Sequence, residues 1–331
     1  MNITPVGPPI HQDFFTVSGG GFTDNAILEF NTTVGIIRVK PDYISPHLAL
    51  VERLPVNIPT GNATLQMTAP GVPSSNSVAI TVAAAPAQTV RMLQAGDTKE
   101  RPYTIVFVAN PAIEAVAGGS FSADPILTNR SGFHRVVGHS FHNIFNVAED
   151  LFKQNNFDSR VRVYAVFDPT RPVNAQNALA HEILPNLMET RRTVLRPFLS
   201  TFGITADMVF VVHGSTQFNR ATAWFTSDDA ALGGTAYTFD GTNRTHGHFP
   251  RIPGSAAIPV SVDMSGLTVI HEFGHAASDF NNGRVTDLYD DGNGGGFFVN
   301  KKFRAAVGNP VPGSFAGYNG TNFNSELNRD G

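Results

Sequence analysis

Cysteine is absent from all 331 residues, which excludes disulfides and thiolate chemistry alike. Any metal held by this chain must therefore be taken by imidazole, carboxylate and water. Charge is also scarce: Asp, Glu, Lys and Arg make up 15% of the residues and leave a net charge of −4, with no basic run. That balance gives no reason to expect a nucleic-acid partner. Long apolar runs are missing too, and no stretch approaches the ~20 residues that a membrane helix needs, so no membrane span is expected. Met1 to Phe15 has neither the basic nor the apolar region of a signal peptide. What is present is 41% hydrophobic residues with 31 Gly and 22 Pro, beside many Asn, Thr and Ser. Such a composition predicts a loop-rich, β-rich globular protein, and it suits a secreted or extracellular setting.

Two organisations follow one another along the chain. In residues 1–92 short apolar runs alternate with polar residues, as in Ala63, Leu65 and Met67 and again in Val78, Ile80 and Val82. Pro55, Pro59, Pro70 and Pro73 punctuate these runs, and no helical period intervenes. The pattern predicts an immunoglobulin-like β-sandwich. Ala83-Ala84-Ala85-Pro86-Ala87 is a small-residue connection, and the expected division is a sandwich over 1–92, a linker over 93–99 and a second domain over 100–331. In that second domain strands are expected at Tyr103–Val108, Val161–Val166 and Asp207–Val212, with another at Thr222–Phe225. A helix over Gly132–Phe152 carries Phe133, Val137, Phe141, Ile144, Ala148 and Phe152 down one side. A further helix is expected over Ala175–Phe202, interrupted at Pro185 and Pro197.

The chemistry concentrates in His271-Glu272-Phe273-Gly274-His275, which follows the apolar stretch Leu267-Thr268-Val269-Ile270. On a helix, residues four apart lie one turn apart on nearly one face, so two imidazoles at this spacing suit a single tetrahedral zinc. Glu272, about 100° further round, reaches the water that such a metal activates and serves as its base. From Leu267 to Phe280 the only ionisable residues are His271, Glu272, His275 and Asp279. A plain core helix would leave that Glu buried at a cost of several kcal/mol. His181-Glu182-Ile183-Leu184-Pro185 begins the same way but has Pro at the second ligand position, and it is not expected to bind zinc.

A catalytic zinc needs a third protein ligand and an open position for water. The only Glu after the motif is Glu326, near the end of the sequence, and Asn281 stands six residues past His275 where a His or Asp would be needed, so neither of the usual schemes fits. Aspartate remains. Asp279 is one turn past His275, Asp287 follows the Asn281-Asn282-Gly283 turn, and Asp290 comes next; His246 and His248 are further options. Tyr289 and Tyr318 are candidates to donate a hydrogen bond to a tetrahedral oxyanion. The run Asp290-Asp291-Gly292-Asn293-Gly294 offers oxygen ligands for a structural Ca²⁺, although it lacks the spacing of a calcium loop.

Two resemblances accompany these readings. Gly19 to Phe22, Leu54 to Gly61 and Asn76 to Val82 resemble the IPT/TIG family of Ig-like domains. Modules of that kind serve as spacers or as carbohydrate or protein contacts, which implies a possible glycoprotein or surface-polymer partner. The order helix, strand ending Tyr164-Ala165-Val166, helix, strand and HEFGH helix resembles the zinc peptidase family of bacterial IgA-cleaving type. That family follows its HEFGH with an Asp-Glu-Tyr cluster, whereas this chain has Val285-Thr286-Asp287-Leu288-Tyr289 after a longer spacer. The resemblance favours Asp287 as third ligand. It implies an α/β zincin-type lobe acting on a protein or peptide substrate with Zn²⁺. The competing expectation is an Ig-like adhesion or glycan-binding protein whose zincin lobe is degenerate or purely structural.

Overall fold

A computed structural model describes residues 1–96, 102–115, 118–146, 160–184, 187–214, 222–224, 254–259, 269, 314–315 and 318–319. Eight strands make up the first unit: β1 (Asn2–Pro5), β2 (Phe15–Gly20), β3 (Ile27–Thr32), β4 (Gly35–Val39), β5 (Asp42–Ser45), β6 (Leu48–Val51), β7 (Gly61–Thr68) and β8 (Val78–Val82). They form two antiparallel sheets, ordered β1-β2-β6-β5 and β4-β3-β7-β8. Period-two burial along β7 turns Ala63, Leu65 and Met67 inward while Asn62 and Thr64 face solvent. Those side chains meet Phe15, Val17 and Val51 of the other sheet in one core. The Gly19-Gly20-Gly21 run has a steric cause. A Cβ at Gly19 would lie 1.8 Å from the Asn2 carbonyl oxygen, and Gly21 has a φ of +75°.

Strand β6 breaks the alternation, because all four residues of Leu48-Ala49-Leu50-Val51 are buried. Ala49 and Val51 belong to the sandwich core, whereas Leu48 and Leu50 belong to a second core made with the rest of the chain. This sheet is therefore covered on both faces.

The second unit continues with β9 (Thr89–Gln94), β10 (Tyr103–Ala109), β11 (Ala112–Glu114), β12 (Phe121–Ala123), a 3-10 turn (Pro125–Thr128), α1 (Arg130–Asn146) and β13 (Val161–Phe167). After these come β14 (Ala180–Leu184), β15 (Leu187–Thr190), α2 (Arg192–Ser200), β16 (Met208–His213), β17 (Thr222–Trp224) and β18 (Gly254–Pro259). A six-stranded sheet runs β17-β18-β16-β10-β13-β9; its four central strands are parallel and both edges antiparallel. Burial is nearly continuous along β10 and complete along β16, the mark of a parallel sheet covered on both sides. Phe107 and Phe210 stack at 5.0 Å on the α1 side, while Val106, Val108, Val209 and Val211 meet Leu195, Phe198 and Leu199 of α2 on the other. Strands β12-β11-β14-β15 form a smaller sheet, and β19 (Ser314–Phe315) pairs with β20 (Tyr318–Asn319). Residues 89–94 span the expected limit at 92 and pair with β13 in the larger sheet.

Helix α1 starts at Asn129, whose side-chain oxygen accepts the Gly132 amide at 3.0 Å. Phe133, Val137, Phe141 and Ile144 are buried at helical spacing, as expected, while 147–152 lie outside the described residues. The helix expected over 175–202 is not what forms. Residues 180–184 and 187–190 are strands, and helix appears only over Arg192–Ser200. Ala180 and His181 pair with Ile113 and Glu114 of β11, while Pro185 lies outside the described residues. Tertiary pairing overrides the local helical pattern there. No described helix is long and apolar enough to cross a membrane.

Replacing fully buried Phe141, edge-on to Phe145 at 5.2 Å, with Ala is expected to cost about 3–5 kcal/mol in denaturant unfolding. Val34→Ala, at a position 71% exposed, should stay within about 0.5 kcal/mol. Equal midpoints for the two variants would contradict the packing described.

Candidate functional site

In a parallel sheet the functional edge is set by strand order. Here β10 lies between β13 on one side and β16 on the other, so successive crossovers leave in opposite directions. The carboxyl ends of β10 and β16 flank such a switch point, where open α/β sheets hold ligands.

Two buried polar side chains tie that edge together. Asn110 follows β10; its amide donates to the Val212 carbonyl at 2.9 Å, and its side-chain oxygen accepts the Leu179 amide at 2.9 Å. Its Nδ2 donates to Asp124 Oδ2 at 2.8 Å. The other oxygen of Asp124 accepts the amides of Ile126 at 2.9 Å and Gly214 at 2.7 Å. One carboxylate and one carboxamide thus fix the ends of β10 and β16, the 3-10 turn before α1 and the approach to β14. Gly214 is required by this closeness, since a Cβ there would lie 2.3 Å from the Ile126 nitrogen. Burial pushes the Asp124 carboxyl up to about 6, opposed by its three hydrogen bonds. His213, at the end of β16, is fully buried, and burial pushes its imidazole down to about 4. Just past β13, Asp168 accepts from the Thr170 amide and hydroxyl and from Arg171 Nε at 2.8 Å. The Arg171 guanidinium in turn covers the rings of Phe198 and Phe202 at 5.0 and 4.6 Å.

Sequence reasoning missed Asn110, Asp124 and His213. The available signal was a polar residue ending an apolar strand, followed by proline in Asn110-Pro111 and Asp124-Pro125. Conversely, His271, Glu272, His275, Asp279, Asp287, Tyr289 and Asp290 lie outside the described residues, as do His246, His248 and the Asp290–Gly296 run. Tyr318 is described only as backbone in β20. His181 is on strand β14, 3.8 Å from Glu189 across the ladder. No group of three His, Asp or Glu able to hold a metal occurs among the described residues.

One described residue stands next to the motif. Strand β18 ends at Pro259, paired with His213, and ten residues later Val269 is helical and fully buried. It shares a core with Phe107, Phe210 and Phe133, on the α1 face of the sheet. His271 is two residues further on.

No protein-family model matches this chain, and no curated protein matches it. Among solved structures it is similar to a metallo-carboxypeptidase from Burkholderia cenocepacia, at 11% identity over 77% of this chain and 82% of that one, with a TM-score of 0.26. It is also similar to a metallo-carboxypeptidase from Pseudomonas aeruginosa in complex with (2-guanidinoethylmercapto)succinic acid, at 8% identity over 78% and 88%, with a TM-score of 0.25. Superposition this loose transfers neither fold nor chemistry.

The two perturbed groups predict opposite responses to pH. The folded-state value of Asp124 lies above its ordinary 3.8, so its contribution is present in acid and is lost as pH rises through about 6. Between pH 5 and 7.5 the stability of the native chain should fall relative to Asp124→Asn by about 1–2 kcal/mol, read from urea midpoints. His213 lies below its ordinary 6.5, so its contribution is present above that value and shrinks as pH falls toward about 4. By pH 5 it should remove about 2 kcal/mol. A His213 ring that titrates between pH 8 and 5 by NMR would contradict its burial.

Proposed function

We propose that the chain is a secreted zinc-dependent endopeptidase, with an Ig-like sandwich followed by a zincin-type lobe. The observation that carries this reading is Val269. On a 3.6-residue period, its burial sets the phase of the helix on which it lies. If that helix continues through the motif, Phe273 and Ala276 fall on the same inward stripe. His271 and His275 then fall about 200° and 240° around the axis, away from the core and beside each other. A core-facing Val at 269 is thus the phase that leaves both imidazoles free for a ligand.

The donor set fits zinc: two imidazoles one turn apart, a nearby Glu, several downstream carboxylates and no thiol in the chain. His271 and His275 would hold the metal, with Asp287 the favoured third ligand and Asp279 and Asp290 as alternatives. When bound, zinc supplies Lewis-acid polarisation of the scissile carbonyl and acidifies the attacking water. Glu272 would take the proton from the attacking water and deliver it to the leaving amine. Tyr289 is proposed to donate a hydrogen bond to the oxyanion.

Glu272→Gln is expected to retain about one zinc per chain and to lose casein cleavage about a hundredfold or more. His271→Ala should lose both metal and activity. Undiminished cleavage by Glu272→Gln, or absence of zinc from the native chain, would overturn the reading.

A further inference from the structure

The contact between the sandwich and the rest of the chain is built like a protein interior. Phe14, Ile44, Leu48 and Leu50 from the sandwich are buried in one core with Leu93 of β9 and Phe141 of α1. At its centre Asp13 is fully buried. One oxygen lies 3.6 Å from Nε of Arg91 on β9 and 3.6 Å from Nη2 of Arg130 on α1. The other accepts the Phe14 amide at 2.9 Å and lies 3.4 Å from Nε2 of His134, whose ring lies 4.2 Å from that of Phe14. Arg91 reaches past Asp13 to donate to the carbonyls of Pro8 at 2.6 Å and Phe14 at 2.9 Å. Burial raises the carboxyls of Asp42 and Glu52 of the sandwich, which lie near His139, His142 and Arg135 of α1. Gly138 admits Glu52, because a Cβ there would lie 3.1 Å from its carboxylate.

A module that served only as a spacer would turn a polar face to its neighbour. This one turns Phe14, Ile44, Leu48, Leu50 and a buried carboxylate into a core shared with β9 and α1. We infer that the α1–β9 face is a specific interaction surface whose partner is this chain's own residues 1–83, and that the sandwich completes the fold of the lobe. Apolar burial holds the two pieces together, and Asp13 between two guanidiniums fixes their register. The same core contains Val269.

The test uses the full chain with a specific protease site inserted between Ala84 and Ala85, both exposed. After cleavage the two pieces should co-elute in gel filtration at micromolar concentration and unfold in one transition. Asp13→Ala in the cut chain should raise the dissociation constant about a hundredfold, the loss expected when a buried charge pair loses one partner. Leu50→Glu should separate the pieces; if that variant fails to fold, the Asp13→Ala comparison decides. Separation of the cut native chain into two folded pieces, or an Asp13→Ala constant equal to the native one, would overturn the proposal. These readouts measure association alone, so they stand apart from the peptidase reading.

Discussion

One apolar core joins the sandwich to the larger sheet and to α1, and Phe107 sits within it on β10. That core takes in Leu48 and Leu50 of the sandwich, Phe133 and Phe141 of α1, Phe210 of the sheet and Val269 beside the histidine motif. Because interiors are close-packed, a displacement in one of these layers is felt in the others. Strand β6 and helix α1 are where this core meets the sandwich. Strand β6 divides its residues between two cores, while α1 buries Phe133 and Val137 as well as His134 against Phe14.

The carboxyl edge of the sheet depends on a different interaction. Asn110 and Asp124 satisfy four segments with buried hydrogen bonds where apolar packing has no direction to offer. The ionised Asp124 carboxyl is costly there, as its raised pKa shows. The compensation is geometric: the end of β16 is held to the turn that begins α1.

Much of this was legible where one period governs one element. The inward set of β7 and the stripe of α1 are read from spacing alone, and so are the apolar runs of β10 and β16. Legibility failed where a residue answers to something distant in sequence. Residues 180–184 look helical in isolation but form a strand that pairs with β11 at Ala180 and His181, which the local pattern does not encode. Arg91 occupies an inward position of β9 where an apolar residue would be expected, because Asp13 is its partner across 78 residues of chain. Leu48-Ala49-Leu50-Val51 is apolar throughout because its two faces enter different cores, and the second of them is built from residues distant in sequence. For the site the balance is reversed. The metal-binding spacing of His271 and His275 is a sequence observation, and the structure contributes the phase of Val269 next to it.

That reading can be tested most directly by zinc-edge X-ray absorption on the protein loaded with one equivalent of metal. The account predicts two imidazoles at about 2.0–2.1 Å with oxygen completing the shell, and one imidazole fewer in His275→Ala. A spectrum without imidazole scattering, or one that His275→Ala leaves unchanged, would contradict it.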